Sequence, residues 1–455
     1  MFDIQEGVAI GIFIKHKESE QKYANIYHSH LWGARNDKYQ TLLDTDITST
    51  RWAAILPQSP FYLFMPQNTD LLGEYEQGWK VTDIMPTNSS GIATHRDHFA
   101  VAYDLTTLHK RISDFRNLTI SDTEIVEKYE LSDTSYWKLR TKRRSLAANA
   151  QWEKNLIQCL FRPFDIRACF YHEDIIDRPR SEIINHFLEK DNIGLITTRQ
   201  VTNSVFCHVS CTRLPIEKKM CSHDRNTNLF PLYIYTDVSQ ATLFNTHPQS
   251  DENRHPNFAA NFIAMLSDLL HLEFISSGKG DLQKTFGPED IFSYIYAILH
   301  SPTYRSRYAE FLKMDFPRLP LTSHANLFRT LCSLGSQLVT LHLMEKKLNK
   351  MSNFNIQGSG TVETVRYTEP GQSADQGCVW VNREQYFDGV PLEVWNFHIG
   401  GYQVCHKWLK DRKGRTLEYD DINHYQQIVA VLAETIRLMA EIDETIIEYG
   451  GWPIT

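Results

Sequence analysis

The sequence predicts a mixed α/β protein, with a strand-rich N-terminal half built on a mixed sheet and a mainly helical C-terminal half. Short apolar runs alternate with short helical stretches up to about residue 235. From about residue 257 the apolar residues recur at helical spacing instead. A balance of 42% hydrophobic to 22% charged residues gives a 455-residue chain a true core. That length suits two or three domains of about 100–200 residues each.

Taken in order, Val8–Ile14 is a continuous apolar run of the kind seen in a buried strand. The polar stretch His16–Gln21 and a second strand at Tyr23–His28 predict a hairpin with it. A hairpin so near residue 1 is expected to be the end of a larger domain. Short strands are expected at Ala53–Leu56 and Phe61–Met65, and a helical pattern covers Leu139–Leu160. Strand-like runs follow at Ala168–Tyr171, Ile193–Thr197, Val205–Val209 and Leu232–Tyr235, with a short helix at Ser181–Leu188. Pro288-Glu289-Asp290 starts a helix, because proline fits the first turn and acids face the positive dipole end. Ile291, Phe292, Ile295, Ile298 and Leu299 give that helix one buried face, and Pro302 stops it and opens the next. Leu327, Leu331, Leu334, Leu338 and Leu341 mark a third helix. A polar, glycine-containing insertion, Ser352–Gln376, precedes a β segment at Cys378–Val381. The last helix places Tyr425, Ile428, Leu432, Ile436, Met439, Ile442 and Ile446 on one stripe.

The net charge of −8 runs against a general affinity for polyanions, but the charges are segregated. Lys138, Arg140, Lys142, Arg143 and Arg144 form one basic cluster, while Asp122–Glu130 and Glu434–Glu448 are acidic. A second basic cluster closes the segment Trp395–Arg415. There a strand-like apolar run (Trp395, Phe397, Ile399) breaks at Gly400-Gly401 and restarts through Tyr402 and Val404. Lys407, Lys410, Arg412, Lys413 and Arg415 follow, cations on an aromatic anchor that suits gripping phosphates. A solvated loop is the plainer reading of such a charge run. No apolar run approaches the roughly 18 residues that span a bilayer, and no signal pattern opens the chain, so a cytoplasmic location is expected. The eight cysteines lack framework spacing and read as free thiols.

Cys207, His208, Cys211, Cys221 and His223 are zinc-type residues, but their spacing lacks paired C-x2-C motifs, and no metal is expected. The chain holds no phosphate-cradling glycine loop, no dinucleotide fingerprint, no H-E-x-x-H and no G-x-S-x-G. His95-Arg96-Asp97 matches part of a kinase catalytic loop without its asparagine. Asp174, Asp177, Glu182 and Lys190 make a weak nuclease-like set, so no catalytic residue is assigned. Recognition chemistry remains. Arg178 and Arg180 flank a stiffening Pro179, and Arg199, Gln200, Lys218, Lys219 and Arg225 follow in a loop-rich stretch. Arg, Gln and Lys are residue types that read base edges in the major groove. The nearby Asp165 and Arg167 are expected to pair internally.

Longer strings carry a resemblance. FRPFDIRACFYHEDIIDRPRSEIINHFLEKDNIGLITTRQ (161–200), FPLYIY (230–235), PEDIFSYIYAILHSPTYRSRYAEFLKMDFPRLPL (288–321) and IGGYQVCHKWLKDRKGR (399–415) resemble the C-terminal specificity region of type ISP restriction–modification enzymes. In that family one chain carries a nuclease, a helicase-type ATPase, a coupler, an adenine-N6 DNA methyltransferase and a target recognition domain. The resemblance implies that residues 1–90 are the tail of a methyltransferase-like domain. It makes 91–250 the α/β part, and 251–455 the mainly helical part, of a target recognition domain. The family's cofactor-binding glycine motif and Asn-Pro-Pro-aromatic motif do not occur here. S-adenosylmethionine, ATP and Mg are therefore expected only in the full-length family enzyme, with no cofactor in this chain. The implied partners are double-stranded DNA and a methyltransferase domain or subunit, and no membrane. Arg178, Arg180, Arg199, Gln200, Lys218, Lys219 and Arg225 are then candidate base readers, and the two basic clusters candidate phosphate contacts. A methyltransferase fragment with residual activity, or a subunit-docking adaptor, are the alternatives.

Overall fold

A computed structural model of the chain describes residues 9–15, 17, 24–59, 62–202, 205–236, 253–371 and 377–454. The chain divides into two compact units, Met1–Asp70 and Leu71–Thr455.

In the first unit Ile26–His28 pairs antiparallel with Ala53–Ile55, Tyr27 standing opposite Ala54, and a helix covers Arg35–Asp44. The expected N-terminal hairpin is not what residues 24–28 form, since their partner is the later strand. Residues 9–15 form no strand, and Ile10, Ile12, Phe13 and Ile14 are exposed. Val8, Tyr23 and Phe61 lie outside the described residues, and 62–65 form no strand. An apolar run predicts a buried strand only where a neighbouring layer covers it.

The second unit is built on several small sheets and a helical layer. Its largest N-terminal sheet is antiparallel, in the order Ser89–Ser90, Thr227–Pro231, Gly194–Thr198, Val209–Thr212. Gly194–Thr198 is buried along its whole length, as its unbroken Leu-Ile-Thr-Thr run requires. The expected strand Val205–Val209 starts only at Val209, because Cys207 instead accepts a hydrogen bond from Gly400. The expected Ser181–Leu188 helix is shorter, ending at Ile184.

A second sheet joins Val101–Ala102, Asp165–Phe170 and Leu156–Arg162. The helix expected over Leu139–Leu160 therefore stops at Ala148. Arg116 ends it by donating to the carbonyls of Leu146, Ala147 and Asn149. After one 3-10 turn, Leu156–Arg162 pairs with the following strand across a turn that carries Phe164 at φ +57°.

The helical half forms as its periodicity requires. Pro288–His300 packs against Ala325–His342, and the long helix Tyr419–Glu448 covers both. The Ser352–Gln376 insertion is not simply a loop. Asn353–Phe354 and Arg366–Thr368 join Cys378–Trp380 and Tyr386–Asp388 in a small antiparallel sheet, with 372–376 outside the described residues. Among the described residues no helix is long and apolar enough to cross a membrane.

Candidate nucleic-acid interface

Pairing places Thr198 opposite Thr227, so Arg199 and Gln200 leave the sheet at the same end at which Arg225 enters it. Thr202 ties the two loops together by donating to the Asp224 carboxylate. The peptide of Lys218 bridges the sheet to residues 92–93, its N–H donating to Ile92 O (2.9 Å) and its carbonyl accepting from Thr227 N (2.7 Å). Ala93 in turn exchanges both backbone hydrogen bonds with Arg178, each 3.1 Å. Arg178 and Lys218 therefore flank residues 92–93 through isolated bridges. Arg180 is half-buried at φ +57°, and its Nε has no acceptor among the described residues.

Electrostatics show how tightly this basic end is packed. Burial, and then the Lys218 charge beside it, hold the Lys219 ammonium below its usual range, with Arg225 adding to the effect. The nearest acids are already engaged. Glu217 accepts from Arg162 at 2.6 Å, and Asp224 accepts from Ser222 at 2.6 Å. Of this group Arg199 has a close acid, Asp315 at 2.9 Å, and Arg225 makes only a loose pair with Asp224 at 3.9 Å. Glu217 and Asp224 offset part of this charge, but like charges brought together still form a surface that gains energy from an anion.

The Trp395–Arg415 segment reaches the same place from the far end of the chain. Its start is a helical turn, Leu392–Trp395, rather than a strand, and only His398–Ile399 and Tyr402–Gln403 form a hairpin. Gly400 N donates to Cys207 O (2.9 Å), Gly401 N to Cys221 O (2.8 Å), and the Tyr402 hydroxyl to Lys219 O (3.0 Å). The cations that follow differ in state. Lys407 is bound to Asp411 at 2.6 Å, whereas Lys410 and Lys413 are exposed and without an acid partner among the described residues. Arg415 stacks 3.8 Å from the Tyr103 ring centre.

The third cluster lies on the Leu139–Ala148 helix. Lys138 and Arg140 make loose pairs with Asp133 (3.7 Å) and Asp122 (3.6 Å), Lys142 a close one with Asp174 (2.9 Å), and Arg144 is exposed. Burial corrects the expectation for two residues. Arg143, 1% exposed, sits on the buried face with Leu139 and Leu146. It donates to the carbonyls of Phe115 (2.9 Å), Asn117 (2.7 Å) and Ile120 (2.8 Å) and to Asp122. Arg412, 5% exposed, donates to Asp165 (2.9 Å) and lies over the Trp408 ring. Both guanidiniums are spent inside the protein, out of reach of a phosphate. The expected Asp165–Arg167 pair is present at 2.7 Å.

The weaker chemical sets come apart. Asp177 pairs with Arg96 (2.7 Å) and His95 (2.8 Å), Asp174 with Lys142, and Glu182 accepts from Ser89, so these acids do not converge on a cation. Cys207 Sγ faces Gly400 O, Cys211 and Cys221 are buried thiols, and His223 is exposed. Burial pushes the Cys211 thiol up to about 12. Among the described residues no three metal-ligating side chains gather. Sequence reasoning missed Tyr103 and Arg162, whose partners lie in segments distant along the chain.

A family model, the Type ISP C-terminal specificity domain, matches residues 83–441. No curated protein sequence matches the chain. Similar solved structures include a nuclease-deletion mutant of the Type ISP restriction-modification enzyme LlaGI in complex with a DNA substrate mimic (TM-score 0.64, 15% identity, 93% of this chain and 39% of that one). Others are the DrdV–DNA complex (TM-score 0.68, 16% identity, 92% and 43%) and the ATP-dependent Type ISP enzyme LlaBIII bound to DNA (TM-score 0.65, 15% identity, 90% and 27%). The chain thus spans less than half the length of each of these proteins, and the likeness is one of fold. With the family model matched across both sheets and most of the helical layer, the chain belongs to the Type ISP C-terminal specificity domain family.

Proposed function

We propose that the chain is the sequence-specific double-stranded DNA recognition module of a restriction–modification system. It works in the cytoplasm with an adenine-N6 methyltransferase domain or subunit and has no catalytic step of its own. The observation that carries this reading is the cluster of Lys218, Lys219 and Arg225 at one sheet end, where Arg225 has only a loose ion pair with Asp224 at 3.9 Å, in a chain whose net charge is −8. The similar structures named above contain DNA, which supports the same reading.

Within it, Arg178, Arg180, Arg199, Gln200, Lys218, Lys219 and Arg225 read bases. Exposed cations of the other two clusters, among them Arg144, Lys410 and Lys413, and the half-buried Arg415, hold phosphates. Titrating the chain against a fluorescent random-sequence duplex pool, then sequencing the bound fraction, tests this. Binding that weakens steeply with salt and enriches one asymmetric site is expected. No binding at low salt overturns it. Ala substitution of Arg178 or Arg225 is expected to relax one base position, at a cost of about 1–3 kcal/mol. The chain is expected to bind no cofactor alone, and equilibrium dialysis that retained S-adenosylmethionine would contradict that.

A further inference from the structure

Lys407 and Arg415, the first and last cations of the Trp395–Arg415 segment, are joined through the protein by a stack of alternating cations and rings. The Arg415 guanidinium carbon lies 3.8 Å from the Tyr103 ring centre, and Arg167 lies 4.3 Å from the same ring. Arg167 is also 4.2 Å from the Phe161 ring, which Arg162 approaches at 4.0 Å. Arg162 then stands 5.7 Å from the Tyr402 ring, and the Lys407 ammonium 5.3 Å from that ring. Contacts of this kind hold a cation flat against a ring face without using up its edge donors.

Every cation in the stack but one is closely matched by an acid. Arg167 meets Asp165 at 2.7 Å, Arg162 meets Glu217 at 2.6 Å, and Lys407 meets Asp411 at 2.6 Å. Arg415 is the exception. Its nearest acid oxygen, on Asp421, is 4.0 Å away, beyond hydrogen-bond reach, and its side chain is 36% exposed. Its support is nevertheless fixed, because the Tyr103 hydroxyl donates to the Asp411 carbonyl and the ring cannot swing aside. Arg415 and Tyr103 open onto a cleft of about 420 Å³. The Asp104 carboxylate on that cleft accepts from the N–H and hydroxyl of Thr107, at 2.7 and 2.8 Å, which chiefly hold it below its usual range, and the Arg415 charge adds to this from beyond ion-pair distance. A planar donor fork, rigidly seated and lacking a close acid partner, is built for a phosphate diester, and a seated side chain loses less entropy on binding.

We propose that Tyr103 is a positioning residue for DNA binding, holding Arg415 as an ordered phosphate clamp. Lys410 and Lys413 have no such seat and supply diffuse charge. This rests on the DNA-recognition reading above.

The test is fluorescence anisotropy of a labelled random-sequence duplex of about 30 base pairs, across a salt series, on the full chain. Arg415→Gln is expected to lower affinity about tenfold and the log–log salt slope by about 0.9, the loss of one phosphate contact. Lys410→Gln and Lys413→Gln are each expected to cost about two- to threefold. Tyr103→Leu, which changes no charge, should match Arg415→Gln, and the double variant should add nothing to either. Tyr103→Phe keeps the ring but loses its tie to the Asp411 carbonyl, and should fall between the unaltered chain and Tyr103→Leu. Equal losses for all three charge removals overturn the proposal, and those surface variants decide it even if Tyr103→Leu does not fold. A full slope in a folded Tyr103→Leu also overturns it. Failure of the unaltered chain to bind the duplex at low salt overturns the DNA-recognition reading beneath it, a separate outcome.

Discussion

Gly400 has no room for a side chain. A Cβ there would meet the Cys221 carbonyl oxygen at 1.7 Å, and its φ of +61° already favours glycine. Gly400→Ala is expected to destabilise the protein by about 2–4 kcal/mol in a denaturant titration, and to weaken duplex binding by unseating the hairpin beneath Lys219. Two neighbouring arginines form a matched pair for a second prediction. Arg143→Met strands three backbone carbonyls and Asp122, at a cost of about 3–5 kcal/mol. Arg144→Gln is expected to change stability by less than about 0.5 kcal/mol and to lower duplex affinity. The converse pattern in thermal melts would show the helix to be rotated. At this scale residue type was legible in the sequence and exposure was not. The basic run at 138–144 reads as one cluster, and only the helix's phase against its core separates Arg143 from Arg144.

Among the elements, the helical half was the most legible part. The Pro288 start, the leucine spacing of 327–341 and the final stripe all describe helices present in the structure, because a buried helical face leaves a local 3.6-residue signature. What holds those helices in register is less visible. Gly335 lies so close to Pro288–His300 that a Cβ would meet Ser293 O at 1.9 Å, so Gly335→Ala is expected to lower the melting temperature markedly. Between the helices, His342 Nδ1 accepts from the Tyr296 hydroxyl while Nε2–H donates to Thr435 Oγ1 at 3.0 Å. That hydroxyl in turn donates to Val431 O at 2.8 Å, so the arrangement calls for a neutral ring. Burial, with the Arg305 charge adding, pushes His342 down to about 3, and burial takes His208 down to about 4. Unfolded imidazoles titrate near pH 6.5, so between these values the unfolded chain binds more protons. Stability is then full above pH 6.5 and falls as the pH drops toward 4. Melting curves from pH 7 to 5 are expected to show this, with a shallower fall in His342→Gln. The strands were harder to read. Leu156–Arg162 continues a helical pattern in sequence, but its hairpin with Asp165–Phe170 outweighs that local preference.

For the molecule as a whole, a net charge of −8 means that any polyanion must be held by patches. Binding to a random duplex pool is therefore expected to fall at least about tenfold between 50 and 200 mM salt, as counterions released from the phosphates compete. Salt-independent binding would mean that the basic surfaces are not the interface. The mixed α/β class, the helical C-terminal half and the family strings were all legible in the sequence, since each depends on residue order over short spans. The assembly of the site was not. Arg178, the Lys218–Arg225 segment and Tyr402 lie far apart along the chain, and nothing local records that residues 92–93 bring the first two together. By itself the sequence determined which residues have the chemistry to grip an anion. Only the tertiary structure decided which of them keep it for the surface, because burial spent Arg143 and Arg412 on internal partners and a distant ring seated Arg415.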